Sequence, residues 1–433
     1  MAKSEKDASP QRALLLEAYR RAVAVAHPAV CLPPHLPDPP SRGRMIVLGA
    51  GKANAAMVQA VEVHYDRLGV LHRLEGFVTT RYGFALPTRR LRLVEAAHPV
   101  PDAASQEAAE RSLELAGKAG SDDLVLVLMS GGASALWSAP VDGVTPADKQ
   151  TMTRALLRSG APIGEMNIVR RHLSRIKGGR LARAASRGKL VTLAISDVPG
   201  DEPEAIGSGP TVPDPSTLYD ARAILLRYGI EPPAAITKAL ADPANESIKP
   251  GDPVFARAEF RIVAKPLASL EAAAAVTAGA GYTPLLLGDR LEGEAREVGR
   301  GHAGLALAAK ARGERVAILS GGEVTVTVVG NGRGGPNQEY ALALALELSG
   351  APGICALAAD TDGIDGGGGE VTPPARALVL ANTIVPARSC HKVGPKMLAD
   401  NDSTAYFQAI GDLVEFGPTQ TNVNDFRIIL VDP

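Results

Sequence analysis

The chain has few aromatic residues and no excess of charge of either sign. Of its 433 residues 4% are aromatic, so aliphatic side chains have to build the core. Lys and Arg number 46 against 47 Asp and Glu. This balance argues against a dedicated nucleic-acid or membrane-surface protein, although it leaves room for a local basic pocket. No apolar run reaches the roughly 18 residues of a membrane span.

Cysteines are also scarce. Cys31, Cys355 and Cys390 lie far apart, which excludes a disulfide framework and a CxxC metal pair and is typical of a reducing compartment. Charged residues interrupt the N-terminal apolar run, so it is not a secretory signal. It instead predicts a helix with Ser9 as N-cap that ends before Pro28. We therefore expect a cytoplasmic protein without a membrane or nucleic-acid partner.

What the sequence does contain is an alternation of short apolar runs with Ala- and Leu-rich helical patterns, which is typical of parallel βαβ units. We predict two α/β domains. Residues 1–240 form a doubly wound, Rossmann-like, mostly parallel sheet, and residues 250–433 form a smaller α/β domain with a mixed sheet. Strands are predicted at 45–50, 76–80, 91–97, 123–130 and 189–196, and then at 261–265, 283–288, 315–320, 323–329, 354–359 and 427–431. A glycine-rich loop is predicted over 362–370.

Glycines follow three of the predicted strands, in Gly49-Ala50-Gly51-Lys52, Ser130-Gly131-Gly132 and Ser320-Gly321-Gly322. In open α/β sheets, ligands bind at the carboxyl ends of strands, where glycines let backbone N–H groups approach an anion. The alternative is that glycine simply ends a strand. Three such motifs favour anion binding, and we predict that the two Ser-Gly-Gly turns face one cleft.

Lys52 stands at the start of a predicted helix, where the helix dipole disfavours a cation. It is either a solvated lysine or a residue that meets an anion. The segment is not a Walker A loop, and it fails as a dinucleotide fingerprint because Asn54 replaces the last glycine. The next predicted strand is not followed by the acid that would bind the ribose of NAD. Arg81 follows it instead, so a site for the 2′-phosphate of NADP stays open.

A basic segment over 167–189 is the second candidate, and most of it overlaps a helix predicted at 165–187. Its cations suit a carboxylate or phosphate substrate, although a solvated helix face is the alternative. The pair Gly178-Gly179 after Lys177 interrupts the helical pattern, which costs stability unless it has a packing or functional reason.

Acidic residues follow two predicted strands, at Asp197 and Asp201 and again at Asp360, Asp362 and Asp365. Carboxylates beside phosphate-binding glycines suit Mg²⁺, which takes one or two of them together with phosphate oxygens. The alternative is that they only form Asx turns.

Several motifs in one order resemble the glycerate 2-kinases with a C-terminal MOFRL domain. They run over residues 45–431 and comprise VLGAGKA, HPVPD, LMSGGASAL, RRHLSRIKGGRLA, SDVPGDEPEAIGSGPT, SGGEVTV, GRGGPNQEYAL, ADTDGIDG and GPTQTNVNDFRIILV. The resemblance implies ATP-dependent phosphorylation of D-glycerate at its 2-hydroxyl, giving 2-phosphoglycerate and ADP, with Mg²⁺. It also implies an active site in the cleft between two α/β domains.

The motifs and the resemblance together predict roles for individual residues. Lys52 matches the key active-site lysine of the family. Pro336 stands where many members have arginine, and Arg333 is our candidate to replace it. Asp197 completes the predicted catalytic set. The metal ligands are expected among Asp197, Asp201, Asp360 and Asp362. Substrate and phosphate binding is assigned to Gly49, Gly51, Ser130, Gly131, Gly132, Ser134, Arg171, Lys177, Ser320, Gly321, Gly322, Glu323, Asn337, Gln338 and Glu339.

Two other functions stay open at this point. An NAD(P)H-dependent hydroxypyruvate reductase is one, because some family members carry that name, and a non-catalytic sugar-acid or nucleotide sensor is the other. The expected partners are the small molecules glycerate and ATP. The sequence leaves open whether the chain forms a homodimer.

Overall fold

The computed structural model describes residues 9–366, 376–379, 383, 390–414 and 417–433. The chain divides into two compact units, here called the first unit, Cys31–Val263, and the second unit, Met1–Val30 with Ala264–Pro433. Part of the predicted glycine-rich loop, residues 367–370, lies outside the described residues.

The first unit is built on a six-stranded parallel sheet. Its strands are β1 Met45–Ala50, β2 Leu74–Arg81, β3 Arg92–Ala96, β4 Leu124–Met129, β5 Lys189–Ile195 and β6 Ala258–Ala264. The order β3-β2-β1-β4-β5-β6 is that of doubly wound dinucleotide-binding sheets. The predicted Rossmann-like fold is therefore confirmed.

Helices cover both faces of this sheet and form a separate helical lobe. The helices of the first unit are Asn54–Arg67, Ala103–Gly117, Ala133–Leu136, Pro146–Arg158, Ile163–His172, Arg180–Ala185, Leu218–Arg227 and Ala234–Ala241, with 3₁₀ turns at Pro33–His35, Leu71–Arg73, Ile206–Ser208, Pro243–Asn245 and Pro253–Phe255. The four-residue helix Pro28–Cys31 lies at the chain boundary between the two units. The lobe has its own apolar core, in which Leu156, Val169 and Leu225 are buried. The helices of this lobe therefore pack on one another around a core of their own.

The order of the strands in this sheet reverses between β1 and β4. These strands are parallel neighbours, with Ala50 paired to Met129 at their carboxyl ends. β2 lies on the other side of β1 from β4, so the connections that follow β1 and β4 run in opposite directions. Their divergence opens a crevice at the carboxyl ends of these two strands. Lys52 and the turn Ser130-Gly131-Gly132 follow these two strands directly.

The second unit contains a six-stranded mixed sheet, as predicted, and a separate pair of strands. The sheet order is β13-β12-β11-β14-β9-β7, and the pair is β8 with β10. The bounds are β7 Thr283–Leu286, β8 Leu291–Glu294, β9 Val316–Ser320, β10 Gly322–Thr325, β11 Ile354–Asp360, β12 Arg376–Val379, β13 Leu413–Val414 and β14 Asp425–Val431.

Helices lie on both faces of this mixed sheet. Tyr340 and Ala303 pack on one face, and Leu15 and Leu270 pack on the other. The helices of this unit are Pro10–Ala26, Pro266–Gly279, Ala295–Ala311, Pro336–Leu348, Cys390–Ala399 and Ser403–Ile410. None of the described helices has the length and apolar character that crossing a membrane requires.

The first unit begins and ends at other residues than the first predicted domain, 1–240. The N-terminal helix Pro10–Ala26 has the predicted bounds but packs in the second unit, where Ser269 donates a hydrogen bond to the carbonyl oxygen of Ala22 at 2.8 Å. At the other end, β6 belongs to the first sheet, so the boundary lies at the end of this strand, between Val263 and Ala264. Local periodicity shows that these elements exist, but their packing partners depend on the tertiary fold.

Two predicted elements also differ. The helix expected at 165–187 is two helices, because Gly178 and Gly179 have φ angles of 58° and 79°, which end a right-handed helix. The strand expected at 323–329 is shorter, and it pairs with β8 in a separate two-stranded sheet. The chain bends sharply at Gly322, whose φ is 96°.

Candidate functional site

The turn after β1 is held tightly against the end of β4 by Ser130. The buried Ser130 hydroxyl donates to Asn54 Oδ1 at 2.7 Å and accepts from the N–H of Ala53 at 3.1 Å. A Cβ atom on Gly51, whose φ is 150°, would lie 2.0 Å from Ser130 Oγ. A Cβ on Gly49 would lie 2.7 Å from the carbonyl oxygen of Leu128. Gly49, Gly51 and Ser130 therefore shape the turn through close packing.

This packing fixes the backbone of Lys52 beside the Ser-Gly-Gly turn. Its N–H donates to the carbonyl oxygen of Gly131 at 2.9 Å, and its carbonyl accepts from the Thr80 hydroxyl at 3.4 Å. Within the described part of the chain, the N–H groups of Gly131 and Gly132 make no hydrogen bond. Two backbone donors thus lie next to a lysine, as an anion site requires.

His98 completes this corner of the first unit. Its ring lies against Gly132, where an added Cβ would be 2.9 Å from His98 Cδ2 and 3.5 Å from Lys52 Cγ. Burial, together with the charges of Lys52 and Arg81, lowers the pKa of His98 to about 3. The imidazole is therefore neutral at physiological pH and can donate or accept one hydrogen bond without adding charge.

Lys177 is positioned by the two glycines that follow it. The N–H groups of Gly178 and Gly179 donate to the carbonyl oxygens of Ser208 and Gly209, at 3.1 and 2.8 Å. These bonds anchor the loop so that the Lys177 side chain is buried in the first unit. The two glycines thus interrupt the helical pattern because they form a left-handed turn. This turn directs the Lys177 side chain into the interior.

The Lys177 ammonium group meets Ser134 in the interior. Its Nζ donates to the carbonyl oxygen of Ser134 at 2.6 Å and to the Ser134 hydroxyl at 2.7 Å. That hydroxyl also accepts from Arg170 Nη2 at 3.2 Å and lies 3.0 Å from Ser208 Oγ. Burial, with the charges of Arg170 and Lys149, lowers the pKa of Lys177 well below its usual value.

A pocket with a volume of about 170 Å³ opens onto this cluster. Lys149, Arg170 and Lys177 line it together with Ser134, and none of the three cations forms an ion pair among the described residues. Burial and the charge of Arg170 lower the pKa of Lys149 to about 7. Like-charged groups held together without a counter-charge favour binding of an anion.

Arg171, predicted to bind substrate, has a different environment from its neighbour Arg170. Its Nε lies 3.2 Å from Oδ2 of the fully buried Asp214, and its Nη1 donates to the carbonyl oxygen of Glu204 at 3.1 Å. This buried ion pair supports the fold, because each charge compensates the other. Of the two arginines, Arg170 lines the pocket described above and Arg171 does not, a difference that helical phase alone does not predict. The assignment of Arg171 to substrate binding stays a prediction.

Two other residues of this site were not assigned from the sequence. Lys149 lies on the helix Pro146–Arg158, which begins with a capping box formed by Thr145 and Asp148. Nothing in its local pattern distinguishes it from a surface lysine. His98 follows a predicted strand, where it can either orient substrate or serve as a structural histidine. Its neighbours Lys52 and Gly132 are distant in sequence, so only the tertiary structure shows this environment.

Asp197 and Asp201 follow β5, whose carboxyl end lies beside that of β4. Both are half-buried, and Asp201 has a φ angle of 58° in a tight turn. No group of three or more His, Cys, Asp or Glu side chains suited to a metal occurs among the residues the structure describes. A pair of carboxylates is still the protein contribution that a nucleotide-bound Mg²⁺ needs.

The Ser-Gly-Gly turn of the second unit uses its backbone groups internally. The N–H of Gly321 donates to the carbonyl oxygen of Gly288 at 2.9 Å, and its carbonyl accepts from Arg427 Nη1 at 3.0 Å. A Cβ on Gly322 would lie 2.2 Å from the carbonyl oxygen of Leu291. Ser320 is the buried end of β9. Gly321 therefore does not have the available N–H that we predicted for it.

Asn337 and Gln338 lie at the start of the helix Pro336–Leu348. Their N–H groups donate to the two carboxylate oxygens of Asp365, at 3.0 and 2.8 Å. Burial raises the pKa of Asp365 to about 7, although these hydrogen bonds oppose the shift. Asn337 Nδ2 also donates to Asp425 Oδ1 at 2.6 Å. This buried network connects the helix to β14.

Glu339 is buried in the same helix. It accepts from Arg296 Nε at 2.9 Å and from Asn401 Nδ2 at 3.0 Å. Asn401 in turn accepts from the N–H of Val329 at 2.8 Å. Glu339 therefore fixes the segment that precedes its helix.

The remaining predicted residues of the second unit lie in turns or at its surface. Asp360 accepts from the N–H of Asp362 at 2.9 Å, and Asp362 accepts from that of Ile364 at 2.8 Å, which are Asx turns. The side chains of Glu323 and Arg333 are exposed. Pro336 is the first residue of its helix, where a missing N–H has no cost.

Comparison with known proteins gives two family matches. Residues 14–241 match a domain of unknown function, DUF4147, and residues 316–425 match the MOFRL family. The first match begins in the N-terminal helix and covers more than half of the chain. The second covers β9 to the start of β14.

Full-length relatives carry two kinds of name. The chain is 50% identical to a "Putative hydroxypyruvate reductase" of Agrobacterium vitis, covering 97% of this chain and 94% of the relative. It is 35% identical to the D-glycerate 2-kinase of Thermotoga maritima, covering 98% of this chain and 99% of the relative. A crystal structure of glycerate kinase from Thermotoga maritima superposes with a TM-score of 0.83, covering 97% of this chain and 99% of that one.

Proposed function

Since the chain belongs to the family of DUF4147–MOFRL proteins that includes the glycerate 2-kinases, we propose that it is an ATP-dependent kinase of D-glycerate. The product is 2-phospho-D-glycerate, formed with ADP. The observation that carries this proposal is the position of Lys52, at the crevice between β1 and β4 and beside two backbone donors.

Phosphoryl transfer depends on positioning and on the stabilisation of charge more than on covalent chemistry. In our proposal Lys52 binds the phosphoryl group as it is transferred, and the N–H groups of Gly131 and Gly132 share its negative charge. The neutral His98 packs against this turn and keeps the lysine next to it. The fixed backbone of Lys52 supports this role, because a preorganised donor needs no rearrangement during the reaction.

Mg²⁺ is expected to accompany ATP, and Asp197 and Asp201 are the carboxylates that would hold it. The ion would neutralise phosphate charge. The candidates of the second unit, Arg333 among them, are retained as residues that contact nucleotide or phosphate. A cytoplasmic location fits the two described cysteines, Cys31 and Cys355, which are free thiols.

A hydroxypyruvate reductase is the second candidate, because of the name of the Agrobacterium vitis relative and the strand order of the first sheet. Against it, Asn54 occupies the position of the last fingerprint glycine and donates to the carbonyl oxygen of Leu128 at 2.9 Å. β2 ends in Arg81 without an acid that could bind a ribose.

The deciding experiment compares two assays on the same preparation. One measures ADP release with D-glycerate and Mg-ATP, and the other measures NADH or NADPH oxidation with hydroxypyruvate. We expect activity only in the first, with phosphorus NMR identifying the 2-phosphate. Nicotinamide oxidation without glycerate-dependent ADP release would reverse the assignment.

Lys52→Ala tests the role of the lysine. We expect the turnover number to fall by about 10²-fold or more, the usual consequence of removing one group that stabilises transition-state charge. Lys118→Ala is a control, since this exposed lysine pairs with Glu114 far along the chain from the turn. Near-normal turnover in the Lys52 variant would remove the central residue from the proposal.

A further inference from the structure

The pocket beside Ser134 contains positive charge that the first unit does not neutralise. Lys149, Arg170 and Lys177 contribute three cations and the exposed Arg154 a fourth, and none has an ion-pair partner among the described residues. The acid that lines the pocket, Asp102, is already engaged. It accepts from the N–H of Ser105 at 2.9 Å and from the Tyr82 hydroxyl at 2.9 Å.

Such an arrangement is unfavourable in an empty protein, because burial and mutual repulsion both disfavour the charged forms. The depressed pKa values of Lys149 and Lys177 reflect this conflict. A bound anion would remove it by supplying the missing negative charge. Ser134 and Ser208 add hydroxyl groups, of which Ser134 already contacts two of the cations.

The pocket is also large enough for a molecule. Its volume of about 170 Å³ is an order of magnitude above the ~10–15 Å³ that a single water requires. Pro99, Val100, Pro101 and Leu157 line the same pocket with apolar surface. A single anionic group on a short carbon skeleton fits these two surfaces. Inorganic phosphate would instead place polar oxygens against proline, valine and leucine.

The position of the pocket relates it to the reacting end of the site. Ser134 lies two residues after Gly132, and Gly132 packs against both Lys52 and His98. The segment that follows His98 forms the apolar wall. A small acid bound here by its carboxylate would therefore direct its other end towards the turn that carries Lys52.

We propose that this pocket is the binding site for the carboxylate of the acceptor acid, with Lys149, Arg170 and Lys177 as its cationic wall. The proposal rests on the function proposed above and identifies where the acid substrate is recognised. It adds Lys149 and Arg170 to the residues that determine specificity. It assigns to the pocket a monocarboxylic hydroxy acid instead of a nucleotide phosphate.

Lys149→Met is the variant that tests it. Lys149 is half-buried on a surface helix, and its side chain makes no hydrogen bond among the described residues, so its replacement should preserve folding. Arg158→Gln on the same helix is the matched control, because this exposed arginine lies outside the pocket. Melting temperatures of both variants should equal that of the unaltered chain.

Binding of D-glycerate is measured by calorimetry with and without ADP, and the Michaelis constant for D-glycerate is measured at saturating Mg-ATP. We expect Lys149→Met to weaken binding and raise the Michaelis constant about tenfold or more, with the turnover number retained. Arg158→Gln should change neither. Unaltered glycerate affinity in Lys149→Met would overturn the proposal.

Inorganic phosphate is the competing probe. If phosphate binding depends on Lys149 and glycerate binding does not, the pocket is a phosphate site and the carboxylate assignment is wrong. Failure of the proposed function is a separate result. In that case glycerate would still bind in a Lys149-dependent manner, but no ADP would form.

Discussion

The ammonium group of Lys177 lies 2.7 Å from the hydroxyl oxygen of Ser134, although the two residues are 43 positions apart in sequence. The same hydroxyl accepts from Arg170. One serine thus holds two cations at the surface of a pocket, and the hydroxyl is the group through which their positions depend on each other.

Ser134→Ala should therefore weaken recognition of the acid without unfolding the chain. A hydrogen bond to a charged group contributes about 1.5–3 kcal/mol, so we expect the Michaelis constant for D-glycerate to rise roughly tenfold or more. Initial-rate kinetics with varied glycerate test this. A fall in turnover number at unchanged Michaelis constant would instead place Ser134 at the reacting centre.

Arg170 and Arg171 form a natural matched pair, since they are adjacent on one helix but have different neighbours. Arg170→Met should raise the Michaelis constant for the acid and leave the melting temperature nearly unchanged. Arg171→Met should leave Asp214 buried and uncompensated, which costs about 3–5 kcal/mol of unfolding free energy. Denaturant unfolding and kinetics of both variants test this, and equal effects would contradict our division of roles.

Recognition of the acid should weaken at alkaline pH. The pKa of Lys149 in the unliganded chain is about 7, so binding of a carboxylate above this pH requires uptake of a proton. The Michaelis constant should rise by at most about tenfold per pH unit above that point. The charged groups that face Lys149 are Asp102, Arg154, Arg170 and Lys177.

Lys149→Met supplies the control for this pH dependence. The variant should show a flatter profile, since it lacks the lysine whose proton is taken up. Glycerate Michaelis constants measured between pH 6 and 9 would check it. A profile that keeps its slope in the variant would assign the titration to another group.

The turn after β1 should tolerate no side chain at Gly51. A Cβ there would lie 2.0 Å from Ser130 Oγ, in a backbone conformation that favours glycine. Gly51→Ala should reduce the unfolding free energy by about 2–4 kcal/mol. Gly117→Ala, in a helix where an added Cβ meets nothing within 4 Å, should be neutral or slightly stabilising. Thermal denaturation distinguishes them, and equal melting temperatures would show that the turn can adjust.

Asp365 should make the second unit less stable as pH rises. Its pKa is raised from 3.8 to about 7, so the folded state binds the proton more tightly than the unfolded state does. The stabilisation that comes from this raised pKa is fully present below pH 3.8 and is lost as the pH rises through about 7. Asp365→Asn should reduce this slope, which melting temperatures recorded across that interval would reveal. An identical slope in the variant would assign the dependence to other groups.

The sequence by itself determined the elements and the chemistry they carry. Apolar periodicity predicted every strand of the parallel sheet, because burial on two faces leaves continuous aliphatic runs such as Leu124–Met129. In the mixed sheet it predicted β7, β9, β11 and β14 but missed the short strands β12 and β13. Glycine after these strands marked the turns, and the ordered motifs indicated the kinase family. Lys52 and Lys177 were identified because each breaks a local rule, one of charge and the other of helix continuity.

The tertiary structure decided which residues lie together. Lys149 looks like any helical lysine, and Arg170 cannot be separated from Arg171 by a pattern that both share. The N-terminal helix has the predicted bounds, but only the packing of its buried face places it in the second unit. Local sequence determines local conformation, whereas the approach of Lys177 to Ser134 depends on contacts between segments that are distant along the chain.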